Sequence, residues 1–253
     1  MLISRLDHLA LSVTDVGAAT SDYAALLGQP PAPAADGQVR LQCENIALVL
    51  QAGDAETAAA ATVPLGLVFA AHDLENLRHR LARRGLAGEM RAGALHLDPA
   101  ATHGVAIAVV EDGGDPAGAA SPCDISGLDH VVVRTRDPER AVALYGGRLW
   151  LDLRLDRVRA EIGVRQMFFV LGGLVVEVVH STKEVVGAGQ DSIWGLAWRS
   201  RDIEASHARL LAAGVAVTEI RDGRKAGSRV ATVKSHTSGV PTLLIGGEGL
   251  ERG

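Results

Sequence analysis

Two side chains in the second half of the sequence are suited to acid–base chemistry. Glu177 stands in an apolar run with two valines on each side, where an unpaired carboxylate is costly to bury. His130 closes the segment Gly-Leu-Asp-His. A carboxylate in an apolar site beside an imidazole can act as a general base. We therefore predict catalytic roles for Glu177 and His130, and the alternative for Glu177 is an ion pair with Arg134, Arg199 or Arg229.

The sequence around His130 is one copy of a pattern that occurs four times. Each copy has an apolar strand, an Asp seven residues after the first position, and a Tyr or Leu eight residues further on. A repeat with a period of about 60 residues indicates one supersecondary unit used four times. His occupies the first position only in the odd copies. The four copies run from His8 to Asp15, Gly66 to Asp73, His130 to Asp137, and Gly195 to Asp202.

Each copy predicts a βαβββ module, with the Asp as the N-cap of the helix. Short turns and mixed strand order favour an α+β fold, in which helices cover one face of an antiparallel-rich sheet. Two modules side by side give eight strands, so we expect two domains that each form an open eight-stranded cup. The Gly- and Pro-rich composition of segment 113–124 predicts the linker between the two domains. The predicted domains are therefore 1–112 and 125–253, and the second holds the site.

Strand alternation predicts which side chains share the cup with Glu177. The Gly172-Gly173 pair is a two-residue hairpin signal, and it sets Phe168 opposite Glu177 and Gln166 opposite Val179. Residues on one face of a strand recur at every second position. The predicted substrate-binding residues are Gln166, Phe168, Arg199 and Arg229. The two guanidiniums would suit a carboxylate, enolate or phosphate group of the substrate.

The four modules, two per domain, and the Leu-Asp-His sequence at the start of the first and third modules resemble the vicinal oxygen chelate (VOC) superfamily. That superfamily includes glyoxalase I, bleomycin-resistance proteins, methylmalonyl-CoA epimerase and the type I extradiol dioxygenases. The resemblance covers nearly the whole chain, and its two-domain layout is most similar to the extradiol dioxygenases. It implies metal ligands at two kinds of position, a His on the first strand of a module and a Glu on the last.

The ligand positions that the resemblance implies are only partly filled in this sequence. In the C-terminal domain they are His130, Glu177, Gly195 and Leu243, and in the N-terminal domain they are His8, Val49, Gly66 and Ala108. A catalytic metal generally takes at least three protein ligands. We therefore expect no resident cofactor. A weak divalent metal would use His130 and Glu177, with a third ligand from a loop, for which His180 and His236 are nearest in sequence.

These observations favour a glyoxalase-like enzyme of the lyase or isomerase type. It would act by proton transfer beside the carbonyl of a small oxygen-rich organic acid or thioester, with Glu177 as base and His130 as acid or orienting group. One alternative is a non-catalytic binder of a drug or aromatic compound, as in bleomycin resistance. The other is a metal-dependent extradiol ring-cleaving dioxygenase with unusual ligands. The sequence does not name the substrate.

The composition and net charge limit the classes of partner that we expect for this protein. The 253 residues carry a formal net charge of −5, which gives no reason to expect nucleic acid or an anionic membrane as a partner. The sequence has only two cysteines, and its apolar runs are too short to span a bilayer. Asp7 and His8 interrupt the stretch where a signal peptide would need apolar residues. We expect a cytoplasmic protein that binds a small molecule, with a structural or homodimer-forming N-terminal domain.

Overall fold

The computed structural model describes residues 2–53, 65–114 and 123–247. Most of the predicted linker, residues 115–122, lies outside this part of the chain. Within the described residues, no helix is long and apolar enough to cross a membrane.

The first eight strands form one mixed sheet in the order β2-β3-β4-β1-β5-β8-β7-β6. Strands β5 and β8 run parallel, while β3 and β4 run antiparallel. The strands are β1 (Ile3–Val13), β2 (Pro31–Pro33), β3 (Val39–Gln42), β4 (Ala47–Ala52), β5 (Leu65–Ala71), β6 (Gly88–Arg91), β7 (Ala94–Leu97) and β8 (Ala106–Glu111).

The second eight strands repeat this arrangement in the order β10-β11-β12-β9-β13-β16-β15-β14. Two eight-stranded mixed sheets with few helices confirm the predicted α+β class. The strands are β9 (Ile125–Arg134), β10 (Asp152–Arg159), β11 (Val164–Leu171), β12 (Leu174–Ser181), β13 (Ser192–Ser200), β14 (Arg221–Asp222), β15 (Ser228–Val233) and β16 (Thr242–Gly247).

One helix follows the first strand of each module, as the repeat predicts. The helices are α1 (Val16–Leu27), α2 (Leu74–Ala82), α3 (Pro138–Val142), which continues as a π-helical turn over Ala143–Arg148, and α4 (Ile203–Ala212). The repeated Asp caps each helix by accepting a hydrogen bond from the backbone N–H three residues on, at 2.9 to 3.1 Å. The residues eight positions after each Asp are fully buried and fix the helices in the core; they are Tyr23, Leu81, Tyr145 and Leu210.

The chain divides into two compact units that combine strands of both sheets. Unit one comprises Met1–His8, Leu65–Gly114 and Val131–Trp194, and unit two comprises Leu9–Pro64, Asp115–His130 and Gly195–Gly253. In unit one the rings of Tyr145 and Phe169 pack 5.5 Å apart. In unit two the buried hydroxyl of Tyr23 donates to the carbonyl of Thr237 at 2.7 Å. The domain boundaries predicted from sequence stay a prediction.

The hairpin between β11 and β12 has the register that the glycine pair predicts. Gly172 and Gly173 both have left-handed backbones, with φ of 55° and 82°, which glycine adopts without steric cost. Phe168 consequently pairs with Glu177, and Gln166 pairs with Val179.

We predict that Asp202→Ala lowers the free energy of unfolding by about 1 kcal/mol, because the N–H of Ala205 loses its capping acceptor. Urea titration followed by circular dichroism measures the change. Glu219→Ala removes an exposed carboxylate outside the helices and should leave the unfolding midpoint unchanged. Equal effects of the two substitutions would contradict the role of the repeated Asp as a cap.

Candidate functional site

Glu177 lies on the face of β11 and β12 that is opposite α3. Arg165 of β11 marks the opposite side, because its guanidinium binds Glu139 on α3 at 2.6 Å. The next residue, Gln166, points away from that helix, since side chains alternate along a strand. Phe168 shares the face of Gln166, and Glu177 shares the face of Phe168 because the two residues are directly opposite.

The Glu177 carboxylate is buried and held by an amide. Nε2 of Gln166 donates to Oε1 of Glu177 at 2.6 Å, and the two residues are only 6% and 8% exposed. Oε1 of Gln166 is shielded from solvent and has no hydrogen-bond partner within the described residues. The amide therefore fixes the orientation of the carboxylate and presents an acceptor beside it.

The three arginines that could have formed an ion pair with Glu177 bind other carboxylates. Arg134 binds Glu184, Arg199 binds Asp129, and Arg229 binds Glu204. The alternative role for Glu177 was an ion pair with one of these three guanidiniums, and each of them binds a different carboxylate.

Arg157 is a cup-face residue that the sequence analysis missed. It pairs with Gln166 in the β10–β11 ladder, and Leu155 pairs with Phe168, so the side chains of Arg157 and Phe168 share one face. The Arg157 guanidinium lies over the Phe168 ring, 5.6 Å from its centroid, a distance typical of a cation–π contact. Extending the predicted hairpin ladder by one strand would have found this residue.

His130 is oriented by the carboxylate of its neighbour. Its Nδ1 lies 2.8 Å from Oδ2 of Asp129, and Oδ1 of Asp129 accepts from Nη2 of Arg199 at 3.2 Å. Burial alone would raise the pKa of Asp129, but the hydrogen bonds and positive charges of His130 and Arg199 outweigh burial and lower it.

The first module repeats this pair of residues. Nδ1 of His8 lies 2.8 Å from Oδ2 of Asp7, and Asp7 is bound by Arg5 at 2.5 Å. His130 belongs to unit two and Glu177 to unit one, so the approach of His130 to Glu177 stays a prediction.

The placement predicted for Arg229 is wrong. Arg229 pairs with Gly246 in the β15–β16 ladder, and a Cβ on Gly246 would lie 2.9 Å from Cβ of Ile203 on α4. Arg229 therefore faces the helix, where its guanidinium binds Glu204 of α4. The alignment of β15 on module three was off by one residue, which turns every side chain to the other face.

The implied metal positions do not form a ligand set. Among the described residues, no group of three or more His, Cys, Asp or Glu side chains is arranged to hold a metal ion. A Cβ on Gly195 would lie 2.8 Å from the carbonyl oxygen of Pro241, so the backbone occupies the space that a first-strand His would need. Leu243, which pairs beside Ala197, offers no donor atom.

The two candidates for a third ligand, His180 on β12 and His236, make other contacts. His180 is buried opposite Arg165, on the side of α3, and its Nδ1 donates to the carbonyl of Thr135 at 3.1 Å. His236 has Nδ1 within 2.8 Å of the Ser235 hydroxyl. The residues present in the described part of the chain do not fit the iron or zinc centre that the resemblance implies.

Residues 129–232 match the family model described as the Glyoxalase/Bleomycin resistance protein/Dioxygenase superfamily. No curated protein matches the chain.

Solved structures share the fold over nearly the whole chain. A variant of 4-hydroxymandelate synthase from Streptomyces coelicolor has a TM-score of 0.72 and 17% identity, covering 98% of this chain and 94% of its own. A catechol 2,3-dioxygenase has a TM-score of 0.68 and 16% identity, covering 98% and 89%. A halotolerant catechol dioxygenase has a TM-score of 0.68 and 12% identity, covering 97% and 87%. At these identities the likeness shows the fold alone.

We predict that the stabilisation contributed by Asp129 disappears in acid. Because the folded pKa of Asp129 lies below its unfolded value, its contribution is present above about pH 4 and is lost as the pH falls through the folded pKa. The difference in free energy of unfolding between the wild type and Asp129→Asn should be largest near pH 7 and shrink towards about pH 3. Urea titrations at several pH values measure it.

The exposed Asp36 provides the control for this measurement, since Asp36→Asn should change stability little at any pH. A difference between wild type and Asp129→Asn that stays constant from neutral to acid pH would contradict the role assigned to the Asp129 carboxylate.

Proposed function

Since residues 129–232 belong to the glyoxalase/bleomycin resistance protein/dioxygenase superfamily, as the sequence predicted, we propose that this chain is an enzyme of lyase or isomerase type. Its substrate is a small oxygen-rich organic acid or the corresponding thioester. The reaction removes a proton from the carbon beside a carbonyl group, and Glu177 is the base.

The Gln166–Glu177 pair is the observation that supports this proposal most. The Glu177 carboxylate is only 8% exposed, and the hydrogen bond from the Gln166 amide at 2.6 Å fixes its orientation. A general base must be positioned within hydrogen-bond distance of the proton it removes. Gln166 supplies that positioning.

Arg157 and Phe168 support an anionic substrate. The guanidinium lies over a ring that is directly opposite Glu177, so a positive charge and the base share one face of the hairpin. Guanidinium groups bind carboxylates in two-pronged geometry. In the proposed complex Arg157 binds the acid group of the substrate, and the Phe168 ring contacts its apolar part.

The proposed reaction begins with the transfer of one proton from the substrate to Glu177. Glu177 takes the proton from the carbon, and the electron pair of the broken C–H bond moves to the carbonyl oxygen to form an enolate. A positive charge near the enolate stabilises it, and Arg157 provides this charge. Return of the proton to the other face of the carbon gives an isomerase. In a lyase the enolate re-forms the carbonyl, a carbon–carbon double bond forms, and the group on the adjacent carbon leaves with the electron pair of its broken bond and takes up the proton. His130, oriented by Asp129, is the proposed second proton carrier.

The cellular compartment and the oligomeric state of the protein are proposals as well. We place it in the cytoplasm, which the free thiols of Cys43 and Cys123 support, because a reducing compartment keeps thiols unpaired. A homodimer is the proposed assembly.

We predict that Glu177→Gln abolishes hydrogen exchange at the carbon beside the carbonyl and leaves binding nearly intact. The substitution keeps the size of the side chain and removes the proton acceptor. The assay incubates the protein in deuterated water with a panel of 2-oxo acids, 2-hydroxy acids and malonyl-type thioesters, and NMR measures deuterium uptake.

Glu161→Gln is the matched control, because Glu161 is an exposed carboxylate bound to Arg159 and should retain full exchange. Exchange that survives in Glu177→Gln would contradict the proposed base. Saturable binding of a panel member without any exchange in the wild type would instead assign the non-catalytic binder. Exchange lost together with the folded state would support a structural role for Glu177.

We predict that Arg157→Gln weakens binding of acidic panel members by about tenfold, because a hydrogen bond to a charged group contributes roughly 1.5–3 kcal/mol. Methyl esters of the same compounds should bind both proteins alike. Calorimetric titration measures the affinities, and Arg154→Gln, an exposed arginine of the same strand bound to Asp152, serves as control. Equal losses for acid and ester would contradict anion binding by Arg157.

A further inference from the structure

The first sheet ends at β6, and the outer edge of β6 pairs with no strand in the part of the chain that the structure describes. A two-residue turn joins β6 to β7, and its residues Ala92 and Gly93 have φ of 47° and 79°. The residues that flank such a turn exchange hydrogen bonds, and this bonding alternates along an antiparallel ladder. Glu89 and Arg91 therefore bond to β7, while the N–H and C=O of Met90 point to the open edge.

The other three edge strands of the two sheets are protected against pairing with another chain. An open edge is a template for a further strand, and proteins normally block it. In β2, Pro31 and Pro33 have no N–H to donate. Strand β14 is only two residues long. Strand β10 has five charged residues among eight and a bulge between Leu153 and Leu155. Strand β6 has neither a proline nor a bulge, and its two charges have opposite signs.

The sequence of β6 is complementary to itself across a two-fold axis. When the axis passes beside Met90, Met90 is opposite the partner's Met90, and Glu89 is opposite the partner's Arg91. The same symmetry places Arg91 opposite the partner's Glu89, so opposite charges meet at two positions. An axis beside Glu89 or Arg91 would instead place like charges opposite each other. Charge complementarity therefore selects a second copy of the same strand and one register.

Met90 provides an apolar contact at this axis. Its side chain is 48% exposed. It pairs with Leu95 of β7, which pairs with Val109 of β8, and both of these residues are fully buried. Because residues directly opposite each other share a face, Met90 continues the buried face of the sheet to its open edge. The flexible thioether of the partner's Met90 would cover this edge without requiring an exact fit.

The other charges at this edge are balanced. Glu89 and Arg91 bind each other within one strand and are both exposed. His96 of β7 is opposite Glu89, and burial together with the charge of Arg91 lowers its pKa, so the ring is uncharged near neutral pH. Pairing of two copies would join two ion pairs into one network of four charges, the arrangement in which exposed ion pairs contribute most.

We propose that two copies of this chain associate through β6, which pairs with the partner's β6 in antiparallel orientation about a two-fold axis beside Met90. This surface gives the proposed homodimer a defined interface, and it is independent of the chemistry proposed for Glu177. The paired stretch is short, so the association is weak and depends on protein concentration.

Sedimentation velocity of the full chain at increasing concentrations tests the proposal, because it measures the dimer fraction. Glu89→Arg and Arg91→Glu each place like charges opposite each other, and each should raise the dissociation constant of the dimer by about tenfold, or roughly 1.4 kcal/mol. The Glu89→Arg/Arg91→Glu double variant restores opposite charges and should associate like the wild type. An equimolar mixture of the two single variants should form a mixed dimer for the same reason.

Glu75→Arg and Arg78→Glu are the matched controls, because they make the same charge changes in another exposed ion pair of unit one. They should leave the association unchanged, and circular dichroism checks that every variant is folded. If a single swap at β6 reduces the folded fraction, Met90→Lys, which places two like charges at the axis, replaces it.

Three results would overturn the proposal. They are a monomer at every concentration, wild-type association in both single variants, and failure of both the double variant and the mixture to restore association. A monomer at every concentration would also remove the proposed homodimer, whereas the deuterium-exchange test of Glu177 is unaffected by any of these results.

Discussion

The left-handed backbone of Gly172 and Gly173 sets the register on which the candidate site depends. The turn pairs Leu171 with Leu174, and the ladder then places Phe168 opposite Glu177. The hydrogen bond from Gln166 to Glu177 is diagonal across this ladder and needs the same register. Because side chains alternate along a strand, a slip of one residue would turn Glu177 to the side of α3, where Arg165 and His180 lie.

Local ion pairs engage the three arginines that the sequence placed near the base. Arg134, Arg199 and Arg229 bind Glu184, Asp129 and Glu204, and Nε2 of Gln166 donates to Oε1 of Glu177 at 2.6 Å. The amide orients the carboxylate that the proposed reaction uses as its base.

The sequence predicted the features that local chemistry determines. The Asp at each repeat caps a helix, and the glycine pair sets one hairpin, because both effects act over a few residues. The sequence did not correctly predict the facing of side chains on strands whose pairing register is not set by a tight turn. Arg229 was assigned to the wrong face because no tight turn sets the register of β15, and Arg157 was overlooked because β10 is a polar edge strand. The pairing of Asp129 with Arg199 joins residues 70 positions apart, beyond the reach of spacing rules.

The central claim is that Glu177 removes a proton without a metal, since the described residues offer no three-ligand set. The most direct measurement is deuterium uptake into an active panel compound before and after exhaustive chelation, with metal content determined on the same samples. The account predicts an unchanged exchange rate in the chelated protein. Exchange that disappears on chelation and returns with stoichiometric iron, zinc or manganese would contradict it.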